Sequence, residues 1–294
     1  VTAAGIVPYP IVDPVLLDLG PIALRWYGLS YVAAFVAARL VLGWLAKRDR
    51  WVVPVERVWD VLLWGIFGVF VGGRAGYLLF YAPPKSFGDV FKVWEGGMAF
   101  HGGLLGVILA YWIFALATRT RFRDVADGLA LATPPGIFFV RVANFVNAEL
   151  HGRPWDGPWA MRFPEYEIGQ PWNGEFDDVA RHPSALYEAL GEGPLLFAVL
   201  WWLAVRRGWG GGRVACAFLV GYGLVRFAIE FFREPDRQLG FQALGLTRGQ
   251  NFSLAMVVAG LVFYVALRPR RRGRDAHEPV GLVDPLAAPE APPA

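Results

Sequence analysis

Hydrophobic residues fall along this chain in seven blocks, and polar residues collect in the gaps. The blocks run over about residues 22–46, 58–81, 97–117, 125–148, 185–205, 214–232 and 252–267. Each approaches the ~20 residues that a helix needs to cross a bilayer. The pattern therefore predicts an all-α polytopic membrane protein with seven transmembrane helices. Residues 1–20, broken by Pro8, Pro10 and Pro14, are too interrupted for a span and too apolar for a free tail. They are expected to lie on the membrane surface. The second block carries Gly65, Gly68, Gly72, Gly73 and Gly76 with one internal charge, Arg74. The third opens as Gly97-Met98-Ala99-Phe100-His101-Gly102-Gly103, with His101 its one ionisable group. Glycines there leave backbone uncovered, so another helix or a bulky ligand can approach closely. Pro134-Pro135 predicts a kink in the fourth block. Residues 85–96 read as an interfacial connector, and 149–182, polar and aromatic, as a small extramembrane cap.

Composition agrees with this picture. Of 294 residues, 55% are hydrophobic and 18% charged, at a mean hydropathy of +0.39. A soluble domain carries about a quarter charged residues. The isoelectric point near 9.1 invites a nucleic-acid reading, but the basic residues flank apolar blocks, as membrane topology requires. Lys47, Arg48, Arg50, Arg57, Arg119, Arg121, Arg123, Arg206, Arg207 and Arg213 fall at one set of block ends. The positive-inside rule then places the N-terminus outside and the C-terminus in the cytoplasm. No short apolar segment with a small-residue cleavage site precedes the first block, so no removable signal peptide is read. The single cysteine, Cys216, excludes an internal disulfide and reads as a small core residue.

With that orientation the polar residues sort by depth. Tyr27 and His101 lie just inside the outer ends of blocks one and three. Arg141, Asn144 and Asn147 occupy the last turns of block four, followed by Glu149. His182 and Glu188 open block five. Tyr222, Arg226 and Glu230 form one stripe on block six, four residues apart. Intramembrane ionisable groups at one depth point to function, and paired arginines fit the oxygens of a phosphate. Structural readings stand beside this one. Arg226–Glu230 is also the pattern of a packing ion pair, and Asn144 and Asn147 that of interhelical hydrogen bonding. Two functional alternatives stay open: a lipid or anion transporter, and another headgroup-processing enzyme. The lack of an internal repeat weighs against transport.

Six stretches together resemble the prolipoprotein diacylglyceryl transferase family. They are Arg25-Trp26-Tyr27-Gly28-Leu29, Gly72-Gly73-Arg74, His101 through Gly106, Arg141 through Glu149 with Gly152-Arg153, His182 through Glu188, and Arg226 through Asp236. Val140 and Ala148 stand where the family usually has glycine. The resemblance implies a bacterial inner-membrane enzyme, working at the outer leaflet without a cofactor or metal. Its substrates are implied to be phosphatidylglycerol and prolipoprotein signal peptides with a lipobox cysteine; the oligomeric state is left open. Catalytic roles are implied for His101, Arg141, Arg226 and Glu230, with the thiol's base either His101 or Glu230. Tyr27, Arg74, Asn144, Asn147, Glu149, Gly152, His182, Tyr222 and Arg233 are the implied substrate-binding set. The implied organisation is one transmembrane catalytic domain over 1–268, capped by about 149–182, and a disordered cytoplasmic tail over 269–294.

Overall fold

The computed structural model describes residues 6–20, 23–82, 86–91, 96–164, 176–235, 242 and 245–267. The tail, parts of the 85–96 connector and the middle of the cap lie outside these residues. Each apolar block forms a helix: α1 Trp26–Lys47, α2 Val58–Phe80, α3 Phe100–Ala117, α4 Phe122–Val146, a fifth rod from Ser184 to Arg206, α7 Arg213–Ile229 and α8 Arg248–Ala266. The fifth rod is composite. It runs as α5 Ser184–Leu190, a π-helical turn Gly191–Leu195, α6 Leu196–Trp201 and a second π turn Trp202–Arg206. Among the described residues, six helices are long and apolar enough to cross a membrane, and α7 has 17 residues. Helix α4 continues through Pro134 and Pro135.

The bundle is apolar on the outside. Phe67, Leu79, Phe80, Leu105, Leu116, Val262 and Val265 are exposed, whereas a protein in water keeps large contiguous apolar patches covered. This is a polytopic membrane protein, its outer face solvated by lipid.

Lipid gives helices little hydrophobic reason to associate, so close packing of small residues carries much of the contact. Helices α2 and α3 show how. Gly68, Gly72 and Gly76 recur every fourth residue and face Gly102 and Gly106. A Cβ on Gly68 would sit 2.8 Å from the Gly106 carbonyl oxygen, and one on Gly72 would sit 2.6 Å from Gly106 Cα. The backbone left bare by these glycines is thus occupied by a neighbouring helix. We expect Gly72→Val to push the helices apart at about 1–3 kcal/mol, lowering the thermal midpoint in detergent by several degrees. An unchanged midpoint would mean that the seam contributes little.

The two ends of the bundle differ in character. At one, Leu42 and Leu45 of α1, Val125 and Leu131 of α4, Leu200 of α6 and Val214 of α7 are fully buried and close the interior with aliphatic side chains. Asp127 is one of the buried polar groups set among them. Its carboxylate accepts the N–H groups of Gly212 (2.7 Å) and Ala215 (2.9 Å), capping the orphan donors where α7 starts. The other end buries the carboxylates of Glu188, Glu192 and Glu230.

Over that end the chain folds a small cap. Strand β1 Val7–Pro8 pairs in parallel with β4 Met161–Arg162, and β2 Val15–Asp18 pairs antiparallel with β3 Ala23–Arg25. Tyr9 is buried between Phe145 and Phe163, and its hydroxyl donates to the Phe145 carbonyl at 2.5 Å. The N-terminal segment, expected only to lie on a surface, is therefore built into the cap. Its prolines suit short edge strands, which need few backbone donors.

Candidate functional site

Helices α4 and α7 and the fifth rod meet beneath the cap, and their charged residues form one network. Arg141 of α4 places Nη1 3.1 Å from Glu188 Oε2 and donates from Nε to Glu192 Oε2 at 3.2 Å. Arg226 of α7 reaches Glu188 Oε1 with Nη1 and Glu230 Oε2, at 2.9 Å, with Nη2. Arg233, just past α7, lies 3.5 Å from Glu188 Oε1. Glu230 also accepts the Thr247 hydroxyl at 2.9 Å, which ties it to the start of α8. Glu188 and Glu192 are fully buried, and Glu230 nearly so. Carboxylates so deep are tolerable only when paired with cations. Arg141 uses Nη1 and Nε on these acids and has no protein partner for Nη2 among the described residues. That leaves a donor for a ligand. Tyr222, one turn before Arg226, faces the same four charges, Arg141, Arg226, Glu188 and Glu192.

Above the network, the chain leaves α4 through a tight reversal. Asn144 and Asn147 donate to the two oxygens of Glu149, at 3.0 and 3.1 Å. Ala148 adopts φ +54°, outside the helix, in the left-handed region that costs a non-glycine residue about 1–2 kcal/mol. This corrects the helical placement expected for Ala148 and gives a backbone reason why glycine suits that position. Gly152 follows, donating its N–H to the His182 carbonyl at 2.8 Å. A Cβ on Gly152 would fall 2.5 Å from the Phe232 carbonyl oxygen and 2.6 Å from His182 Cβ, so three segments converge there because it lacks a side chain. Arg153 extends the join by donating from Nε to the Arg233 carbonyl at 2.9 Å.

His182 stacks on Trp155, with centroids 4.3 Å apart and planes 11° from parallel, and its Nδ1 lies 3.1 Å from the Tyr187 hydroxyl. Burial holds its pKa below the usual histidine value, which favours the neutral ring at pH 7. Nearby, Arg181 bridges Asp177 (2.8 Å) and Glu234 (2.6 Å). Burial, followed by the charge of Arg181, pushes His151 down as well.

Three expected site residues stand apart. No hydrogen bond or ion pair joins His101, Tyr27 or Arg74 to the network among the described residues. His101 lies exposed in the first turn of α3, its ring 5.9 Å from that of Phe252 on α8. Tyr27 pairs with Tyr31, which donates to its hydroxyl at 3.3 Å. Arg74 donates to the carbonyls of Asp89, Val90, Gly96 and Gly97, and so braces the connector that leads into α3.

Glu192 was not among the expected residues. Its signal was present: it lies four residues after Glu188, within an apolar block, where an acid is costly.

The fold and this network define a multi-pass membrane protein with a charged site enclosed among its helices. Comparison with known proteins supplies the family. The family model for prolipoprotein diacylglyceryl transferase matches residues 14–266, and the chain belongs to that family. Relatives named phosphatidylglycerol–prolipoprotein diacylglyceryl transferase are similar along nearly the whole length. The Cupriavidus necator protein is 44% identical, covering 92% of this chain and 98% of its own. That of Cupriavidus metallidurans is 45% identical, covering 91% and 98%. That of Idiomarina loihiensis is 46% identical, covering 87% and 94%.

Proposed function

We propose that the protein transfers the sn-1,2-diacylglyceryl group of phosphatidylglycerol to the lipobox cysteine of a prolipoprotein, the first step of lipoprotein maturation. The observation that carries this is the convergence of Arg141 and Arg226, from different helices, on one buried network beneath the cap. In the reaction a carbon–sulfur bond forms at the glycerol carbon as its bond to the phosphate oxygen breaks. The products are a thioether and sn-glycerol 1-phosphate. The thiol, with an unperturbed pKa of about 8.5, passes its proton to a base. Charge gathering on the departing phosphate calls for fixed donors in a poorly solvated place, which is the role given to Arg141 and Arg226. Asn144 and Asn147 act through Glu149 to shape the lipid's seat, and the cap around Gly152 and His182 closes it.

A transporter needs a path to the opposite face. The aliphatic plug of Leu42, Leu45, Leu131, Leu200 and Val214 stands against one. The deciding experiment incubates purified protein with phosphatidylglycerol and a lipobox peptide and measures peptide mass. Addition of one diacylglyceryl group supports the reading, and an unmodified peptide ends it.

In this reading all seven helices span the membrane, α7 included, with the N-terminus outside, the C-terminus in the cytoplasm and the site toward the outer leaflet. Support comes from the excess of lysine and arginine at one set of helix ends. A reporter fused after Arg50 is expected to read as cytoplasmic and one within 156–164 as exterior. Cytoplasmic exposure of 156–164 would place the site at the wrong leaflet.

A further inference from the structure

Glu192 sits on the π-helical turn Gly191–Leu195, where wider winding interrupts the fifth rod and Gly193 leaves helical geometry. Such turns often accompany function. The three acids of the network are held unequally. Glu188 meets Arg141, Arg226 and Arg233, and Glu230 meets Arg226 and Thr247. Glu192 has one good contact, from Arg141 to Oε2. Its Oε1 lies 3.8 Å from Arg226 Nη1 and accepts no hydrogen bond, although the side chain is fully buried. The groups facing it are Arg141 from α4, Glu188 from α5, and Tyr222 and Arg226 from α7.

Among the described residues the ion-paired network contains three arginines and three glutamates, so their charges balance without a ligand. A phosphodiester headgroup arriving at Arg141 and Arg226 adds a negative charge with no counter-ion. In a buried site that imbalance is far more costly than in water. A proton relieves it. Glu188 Oε2, Glu192 Oε1 and Glu230 Oε2 all accept no hydrogen bond. The first and last lie 3.1 and 2.9 Å from an arginine nitrogen, whereas Glu192 Oε1 is 3.8 Å from one and is the least opposed to accepting a proton.

We propose that Glu192 takes up a proton when the anionic headgroup binds, making lipid binding proton-coupled. The inference rests on the transferase reading and its placement of the phosphate. A proton from solvent adds to Glu192 Oε1, and neutral Glu192 loosens its hold on Arg141, freeing Nε for the phosphate. On product release the proton returns to solvent. Glu192 is thus a positioning residue acting through Arg141. Because the bound state carries the extra proton, rising pH weakens binding.

The test is calorimetric titration of the purified full chain with phosphatidylglycerol, in buffers of different ionisation enthalpy, which gives protons taken up per lipid. Near one proton is expected, with affinity falling up to ~10-fold per pH unit across the coupled range. Glu192→Gln should take up none and bind with a flat pH profile, whereas Glu192→Asp keeps both effects. Zero uptake by the unmodified protein, or equal uptake by Glu192→Gln, overturns the proposal. Should Glu192→Gln not fold, infrared difference spectra with an ether-linked phosphatidylglycerol, which lacks ester carbonyls, replace it. A protonated-carboxyl band that shifts in Glu192→Asp supports the inference, and no such band sinks it. Lipid binding and transfer without proton uptake refutes the coupling alone. Failure to bind phosphatidylglycerol removes the transferase reading as well.

Discussion

Replacing Arg226 with alanine is expected to lower diacylglyceryl transfer by about 10²–10³-fold, the usual loss when a donor to developing negative charge is removed. Its guanidinium spans two acids on different segments, Glu188 on the fifth rod and Glu230 at the end of α7. Removing it affects structure too, because breaking one partner of a buried pair costs about 3–5 kcal/mol. The assay therefore needs a thermal melt in detergent beside it. Arg226→Lys separates the contributions. Lysine keeps the positive charge, but a single ammonium cannot hold both carboxylates in the fork geometry. We expect a melt close to that of the unmodified protein with only partial turnover. Near-normal turnover by Arg226→Ala in folded protein would reduce the residue to a packing charge, the reading that its four-residue spacing from Glu230 left open.

The helices were legible because lipid imposes one requirement on every span, an unbroken apolar stretch of sufficient length. Their predicted limits fall within a few residues of those observed. Proximity was legible in part. Of the residues read at one level, the structure joins Arg141, Arg226 and Glu230 in one network, while His101 and Tyr27 have no bond to it among the described residues. Partners were less so. A stripe at four-residue spacing on α7 gives a face but not what lies opposite, and Glu192 enters the network from the fifth rod. The strands at Val7–Pro8 and Val15–Asp18 could not be read from their own residues, since their pairing depends on the distant Met161–Arg162 and on Ala23–Arg25. Arg74 shows the same limit. The resemblance implies a substrate-binding role for Arg74, and the structure adds that its hydrogen bonds brace a connector through four backbone carbonyls. A positive side chain that answers to carbonyl oxygens leaves no mark in charge patterning.

His101→Gln is expected to lose most of the rate near neutral pH, about 10²-fold or more if the imidazole is the general base. The structure sets the terms of this test. His101 lies exposed at the start of α3, unbonded to the ionic network, with Phe252 of α8 beside it. The residue that caps the start of that same α8, Thr247, donates to Glu230. Both candidate bases thus flank the beginning of α8 from different helices, Glu230 tied to Arg226 and Thr247 and His101 open to an arriving thiol. An imidazole within reach of the thiol is the side chain commonly used for such a proton transfer. If His101 removes the thiol proton, the defect of the glutamine variant should shrink as pH climbs toward the thiol's own pKa, because the thiolate then forms without help. If the imidazole only orients the headgroup, glutamine replaces part of its hydrogen bonding equally at every pH. The measurement is a pH–rate profile of both proteins with lipid saturating and peptide varied. A rate ratio that stays constant through the thiol titration removes His101 as base and passes the role to Glu230, leaving the transferase reading in place.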